Sequence, residues 1–378
     1  MKPVLIAGYA RSPFHFAHKG ALAKVRPDDL AANTIRGLVE RLGVDAGEIE
    51  DLILGCAMPE GEQGLNMARL VGLMAGLPQS VGGVTINRFC GSSMSSIHDA
   101  AGQIQLGAGE AFIAAGVESM TRIPMGGFNP MPNPDLYASG SGAYMGMGET
   151  AENVAKQYQI PREEQEKLAV ESHAKAAAAV EAGKLADEIV PIETPGGLVD
   201  TDGCIRPGTS AEALAGLKPA FSADGSVTAG TSSPLTDGAA ATLVCTEEFA
   251  AKHNLTPLAR IKTVAVNGCD PKTMGLGPIH ATRKALARAG LSIDDIDVIE
   301  INEAFSSQAI ACMNDLSMDR SRVNIDGGAL AIGHPLGATG ARITGKAAQL
   351  LKREGGKYAL STQCIGGGQG IATILEAA

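Results

Sequence analysis

An α/β fold of two similar halves, with a third region inserted between them, is predicted by three observations. Strand-like and helix-like segments alternate along the 378 residues, and the 48 glycines cluster at their junctions. The same order of elements occurs twice. A long stretch rich in Pro, Gly and Met, without periodicity, separates the two occurrences. A chain of this length exceeds one ordinary small domain, so two or three domains are expected.

Taken in order, the N-terminal "MKPVLIAGYARSPF" holds a short apolar run after Pro3. It reads as a first strand and is too short for a signal-peptide core. "AGEIEDLILGC" is an acidic turn leading into a strand. After it come "VTIN", a helix from about Ser92 to Leu106, and the strand "AFIAAG". The helix carries Met94, Ile97, Ala101 and Ile104 on one stripe. Ser92 or Ser93 is placed to cap its start and Gly107 to end it. The second half repeats the order: "SIDDIDVIEIN" as turn and strand, "VNID", a helix from about Ala338 to Lys352, and the strand "YALSTQC". That helix shows Ile343, Ala347, Leu350 and Leu351, and stops at Gly355-Gly356. The interval from Val84 to Ala111 is 27 residues, whereas Val323 to Tyr358 spans 35. The repeat is therefore one of topology, with coincidental α/β regularity as the alternative at this level.

The inserted region opens with residues 122–149, an aperiodic stretch of the kind that tends to be functional when so long. Thr150 is a candidate cap for "AENVAKQYQ". "REEQEKLAVESHAKAAAAVEA" is a longer helix ending at Gly183.

Composition narrows the function. A net charge of −10, 3% aromatic residues and no Trp argue against a nucleic-acid face. No stretch reaches the roughly 18 apolar residues of a membrane span. The seven cysteines are odd in number and scattered, without zinc-type spacing, so neither a disulfide framework nor a metal site is expected. A cytoplasmic protein with mostly buried thiols is the expectation.

Four stretches join glycine to a reactive side chain: "FCGSS" at Cys90, "INEAF" at Asn302, "GHPLGATGAR" at His334 and "CIGGGQG" at Cys364. Each follows a strand or lies in a glycine-rich loop, where α/β folds gather their sites. Cys90 sits about two residues before a helix. A helix end plus a nearby imidazole favours a thiolate, and Gly91 frees backbone N–H groups to bind an oxyanion. A small buried residue at a tight junction is the competing reading. His334 is held between Gly333 and Pro335, either as a positioned base or as a loop histidine satisfied by backbone. Cys364 opens onto three glycines that leave room for a ligand, or it is a strand-end core residue. Asn302 is suited to holding a water or an oxygen. Glu303 is an acid or base, or equally a structural hydrogen-bond partner. Residues 340–347, "GARITGKA", nearly match a phosphate-binding loop, but Ala347 replaces the required hydroxyl and the segment reads as helix.

With these stretches in hand, the chain resembles the thiolase family throughout its length, most closely the degradative 3-ketoacyl-CoA thiolases. The likeness rests on "NRFCGSSMSSIHDA", "AGVESMTRIPM", "TAENVAKQY", "LKPAF", "VTAGTSSPLTDGAA", "GCDPKTMGLGP", "INEAF", "VNIDGGALAIGHPLGATGAR" and "CIGGGQGIA". It implies a thiolase-like fold, with two duplicated α/β halves of mixed sheets between helices and an inserted loop domain that binds coenzyme A. The expected boundaries are 1–117 plus about 229–258 for the N-terminal half, 118–228 for the loop domain and 259–378 for the C-terminal half. The resemblance further implies Cys90 as the nucleophile that carries the acyl thioester, His334 as its base and Cys364 as a second acid/base. Asn302 would hold a water that forms one oxyanion hole with His334. The backbone N–H groups of Cys90 and Gly366 would form the other. Arg206 of "IRPG" would contact the nucleotide end of coenzyme A and Ser233 of "TSSP" its pantetheine, with Met147 and Phe305 also binding substrate. No metal or permanent cofactor is implied, only coenzyme A as co-substrate.

One departure bears on substrate range. Where the acetoacetyl-CoA-specific branch has a histidine, this chain has Gly146, which fits a roomier pocket covered by Met125, Met131, Met145 and Met147, unless these methionines are loop packing. The expected activity is thiolytic cleavage of 3-ketoacyl-CoA in fatty-acid β-oxidation. Synthesis of acetoacetyl-CoA and a non-catalytic thiolase-like lipid carrier are the alternatives. Ketoacyl synthases, on a related fold, typically use Cys-His-His, and Cys364 argues against them. A homodimer or homotetramer is expected, with possible association with a hydratase–dehydrogenase subunit.

Overall fold

The computed structural model describes residues 2–378. Its first half contains β1 (Val4–Arg11), α1 (Pro27–Leu42), β2 (Asp51–Gly55), α2 (Met67–Met74), β3 (Gly82–Ile86), α3 (Ser92–Leu106) and β4 (Ala111–Ser119). The chain then leaves the sheet for the inserted region, which carries α4 (Met147–Gln157) and α5 (Arg162–Glu181). It returns through β5 (Thr236–Thr246) and β6 (Ala259–Gly268). The second half continues with α6 (Gly277–Ala289), β7 (Val298–Ile301), α7 (Ser306–Asp315), α8 (Thr339–Glu354), β8 (Tyr358–Ile365) and β9 (Gln369–Glu376).

The strands form one mixed sheet in the order β3-β2-β4-β5-β1-β6-β9-β8-β7. Its two halves meet at β1 and β6, where only Leu5–Arg260 and Ile6–Ala259 pair. The halves repeat each other. In the first, β3, β2 and β4 are parallel, and β5 and β1 continue antiparallel. In the second, β7 and β8 are parallel, and β9 and β6 continue antiparallel. The counterpart of β3 is reduced to a single parallel bridge between Val323 and Ile299. "VNID" is therefore a bridge and turn where its counterpart "VTIN" lies in a strand. The extra residues of the longer interval form the loop and short helical turn (Ala329–Ile332) that carry His334. Strands β1, β4, β5 and β8 are buried at every position. Burial on both faces explains their continuous apolar runs in place of alternation.

Helix α3 has the predicted limits, and Gly107 ends it in a left-handed conformation (φ 75°). Its start differs: Gly91 occupies the cap position, and the Ser92 hydroxyl donates to the Phe89 carbonyl. Thr150 likewise lies inside the first turn of α4, donating to the Met147 carbonyl, and Gly146 takes the cap position. Helices α3 and α8 pack against each other between the halves. A Cβ on Gly340 would lie 2.2 Å from the Met94 nitrogen, and the Ala341 N–H donates to Ser93 Oγ at 2.8 Å. This close approach is why Ser92, Ser93 and Ser96 are small and fully buried.

The phosphate-loop look-alike is interior helix in α8. Its Lys346 pairs with Glu188 at 2.9 Å and Asp326 at 2.8 Å. Arg11 reaches the same Glu188 at 2.7 Å and binds Asp202 through two bonds. This buried network ties the inserted region to both halves. Removing one member of such a network costs about 3–5 kcal/mol, because its partner is left buried and unpaired. Among the described residues, no helix is long and apolar enough to cross a membrane.

Candidate active site

Cys90 lies on a helical turn (Phe89–Gly91) directly before α3 and is 8% exposed. The turn is strained, with Phe89 at φ 44°, a conformation uncommon for a bulky residue. Three contacts hold it there. Asn87 Oδ1 accepts the Phe89 N–H at 2.8 Å, the Gly91 N–H donates to the Arg88 carbonyl, and the Gln363 side-chain amide donates to the Cys90 carbonyl. Gly91 leaves room for the opposite half, since a Cβ there would lie 2.5 Å from Ile365.

Burial pushes the Cys90 thiol up to about 11, with the backbone N–H groups of Gly366 and Cys90 acting in the opposite direction. Desolvation thus works against the thiolate that the helix terminus and a nearby imidazole favour. Burial also pushes His334 down to about 3, with the Arg342 guanidinium acting in the same direction. Both shifts favour the neutral thiol and the neutral imidazole. Cys364, at the end of β8, is fully enclosed, and burial followed by the proximity of Cys90 raises it well above the ordinary thiol range.

His334 follows Gly333, whose φ of 107° turns the chain inward. Its N–H donates to Thr236 Oγ1 at 3.1 Å, its Nδ1 lies 2.6 Å from Thr339 Oγ1, and its Nε2 lies 3.3 Å from Asn302 Nδ2. Leu336, two residues on, packs in the same small cluster as Cys90 and Met120. Asn302 is fully buried, its N–H bonds the Thr362 carbonyl of β8, and its Oδ1 has no protein partner. An unpartnered buried acceptor beside the imidazole suits a bound water.

Glu303 does not face the reacting groups. Its carboxylate accepts from Ser172 Oγ, Asn324 Nδ2 and the Leu330 N–H, supporting the loop before His334. It is a structural partner, the second of its two sequence readings.

Around these groups, Met147 and Phe305 pack with Cys364, and a Cβ on Gly366 would meet Met147 Sδ at 3.4 Å. Ser233 lies alongside: its N–H bonds the Ala304 carbonyl, and Ser232 bridges to Phe305. Phe221 meets Phe305 edge-to-face at 5.9 Å, and it leaves no space for a side chain at Gly148. Arg206 stands apart on an exposed loop, its N–H on His173 Nδ1 and its guanidinium 5.6 Å from the Phe16 ring. Of the predicted methionine cover, Met147 lines the site, whereas Met131 (83% exposed) and Met125 (52%) are turned to solvent.

Sequence reasoning passed over Gln363, Thr339 and Glu118. Glu118 is buried and accepts from the Ala57, Met58 and Gly337 N–H groups and from Gln63, joining the His334 turn to the first half. Its signal was a carboxylate at the end of an otherwise apolar strand. Gln363 carried a similar one, a polar residue next to Cys364 in a buried strand.

Family models for the thiolase N-terminal and C-terminal domains match residues 4–248 and 255–377. The chain is 46% identical over 389 residues to a 3-ketoacyl-CoA thiolase of Bacillus subtilis, covering all of both chains. It is 47% identical over 385 residues to one of Saccharophagus degradans, covering 99% and 98%. The structure of human mitochondrial 3-ketoacyl-CoA thiolase in complex with CoA superposes with a TM-score of 0.92 at 38% identity, covering 100% of this chain and 98% of that one. Two matched domains in sequence, full-length relatives and a shared architecture agree: the chain belongs to the thiolase family.

Proposed function

We propose that this protein is an acetyl-CoA C-acyltransferase, cleaving 3-ketoacyl-CoA with coenzyme A into acetyl-CoA and a shortened acyl-CoA. The observation that carries this reading is the contact between the Cys90 turn and the end of β8, where the Gln363 amide donates to the Cys90 carbonyl and Gly91 packs on Ile365, which sets the nucleophile of one half beside the glycine loop of the other. In the first half-reaction, Cys90 Sγ bonds to the keto carbon while His334 takes its proton. Two neutral groups then exchange a proton as the bond forms, without either ion standing alone in a buried site. The alkoxide lies against the N–H groups of Cys90 and Gly366. Its collapse breaks the bond to the neighbouring carbon, whose electron pair becomes the enolate of acetyl-CoA. A water on Asn302 Oδ1, together with His334, binds the enolate oxygen, and Cys364 gives its proton to the enolate carbon. In the second half-reaction, Cys364 accepts the proton of the incoming coenzyme A thiol, whose sulfur bonds to the acyl carbon; the bond to Cys90 Sγ then breaks, and Cys90 recovers the proton held by His334. The kinetics are ping-pong, with coenzyme A as co-substrate only.

Met147, Phe305 and Ser233 bind the pantetheine arm, and Arg206 the nucleotide end. The inserted loop domain is assigned to residues 118–228, between halves of 1–117 plus about 229–258 and 259–378. A broad chain-length range is supported by a groove of about 460 Å³ lined by Leu136, Tyr137, Tyr144, Met145, Gly146 and Lys272, which reaches the residue next to Met147 in the chain. A homo-oligomer is supported by the exposed edge strand β3 and its apolar neighbours Leu65, Leu70, Leu73 and Val84, a face that invites pairing with a second copy. A cytoplasmic role in β-oxidation, with a hydratase–dehydrogenase partner, completes the reading.

The test is covalent labelling. Incubation with acyl-CoA should add one acyl group to the wild type, seen by intact-mass spectrometry, and none to Cys90→Ala. Persistent labelling of the variant would refute the nucleophile assignment.

A further inference from the structure

We infer that Thr339 is a positioning residue that selects the reactive tautomer of His334. The inference rests on the thiolytic reading above, and its geometry is independent of substrate. Thr339 is the first residue of α8 and is fully buried. Its Oγ1 has two polar neighbours: the Pro335 carbonyl at 2.9 Å, one helical turn back, and His334 Nδ1 at 2.6 Å. A hydroxyl has one hydrogen to give, and a carbonyl can only accept. With the hydrogen on Pro335, Oγ1 presents a lone pair and Nδ1 must be the protonated nitrogen. The other side of the ring agrees. Nε2 faces the Asn302 amide nitrogen at 3.3 Å, a donor, which requires a bare lone pair on Nε2. Two contacts on opposite edges of one imidazole thus specify the same tautomer, with Nε2 free to take the thiol proton. The five-residue spacing from His334 to Thr339 makes this possible. The Gly333–Pro335 turn presents the ring back toward the first turn of the helix that the turn leads into.

The imidazolium formed when Cys90 loses its proton keeps Nδ1–H, so the same hydroxyl also stabilises the charged state. Replacing Thr339 with Val removes the acceptor while keeping shape and volume. Nδ1–H is then buried without a partner, and the other tautomer, with its proton on the wrong nitrogen, gains population.

The experiment compares Thr339→Val, Thr339→Ser and wild type in single-turnover release of acetyl-CoA from a 3-ketoacyl-CoA, together with steady-state kcat and KM. The expected result is a loss of about 30- to 100-fold in the single-turnover rate for Val, with KM within about twofold, and a rate within about threefold of wild type for Ser. Wild-type turnover by Val, or equal losses in Val and Ser, overturns the inference. Should Val not yield folded protein, Ala against Ser provides the same comparison under the same criteria. A wild-type enzyme that fails to release acetyl-CoA would instead overturn the thiolytic reading, so the two failures are distinguishable.

Discussion

The desolvation of Cys90 and His334 has a direct kinetic signature in the pH dependence of thiol alkylation. With burial holding the Cys90 thiol at about 11, its thiolate fraction at pH 7 is about 1 in 10,000. A free cysteine near pKa ~8.5 is about 3% ionised at that pH, so the site suppresses thiolate by roughly 300-fold. Raising the pH ionises the thiol. The logarithm of the inactivation rate by iodoacetamide should therefore climb with a slope near one from pH 6 to 9, a total of about 1000-fold. His334, held at about 3, adds no inflection in that window, and His334→Ala should retain the slope. The assay is mass-spectrometric quantification of the alkylated Cys90 peptide after timed exposure to the reagent across buffers of matched ionic strength, a readout that does not require the variant to turn over. A wild-type profile that is flat above pH 6 would reveal a preformed thiolate–imidazolium pair and refute the argument that desolvation dominates this site.

Three further outcomes follow from the same geometry. Cys364→Ala should still accept an acyl group from acyl-CoA, while condensation and overall thiolysis fall by about 10³-fold, since a positioned acid or base contributes 10²–10⁴; normal steady-state turnover would remove Cys364 from the proton path. Arg206→Ala should raise KM for coenzyme A about tenfold and leave KM for a pantetheine thiol unchanged, because the side chain lies on an exposed loop away from the reacting groups; equal effects on both thiols would refute the nucleotide contact. At Gly146, an added Cβ meets only Glu149, at 3.8 Å, so a larger side chain fits without strain. Gly146→His should therefore lower kcat/KM for long-chain relative to four-carbon substrates by about tenfold, measured over four to sixteen carbons, and an unchanged preference would separate this position from the acyl path.

The parts of the fold legible in the sequence are those set by local pattern. The bounds of α3 and its Gly107 stop follow from a stripe of apolar residues and one glycine. The caps were misread because Ser92 and Thr150 satisfy backbone carbonyls from inside the first turn, a choice made by the tight junctions before them. Arg342 and Lys346 were invisible as core residues. Periodicity treats a charge as solvated, and their partners Glu300, Glu188 and Asp326 come from other parts of the chain. The same division runs through the site. A cysteine or histidine among glycines announces itself. Gln363, Thr339 and Glu118 acquire their roles only from what the fold sets opposite them.

The duplication explains why those announced residues meet. Cys90 occupies the junction between β3 and α3, and His334 the junction between the Val323 bridge and α8, the same place in the repeated topology. Each helix begins at its own reactive residue's loop, and the two helices press together where Gly340 meets Met94. A pseudo-symmetric contact between equivalent helices therefore sets the Cys90 turn against the His334 loop, whose Leu336 packs in one cluster with Cys90. The second half adds Cys364 and Gly366 at the end of β8, where β4, its counterpart, supplies Glu118 instead. In the proposed mechanism one half thus delivers the nucleophile and structural support, and the other the base, the second thiol and the glycine loop. A reaction that must hold an acyl group while moving a proton to and from a second molecule requires that asymmetry, and the shared packing of α3 and α8 supplies the fixed frame on which it is built.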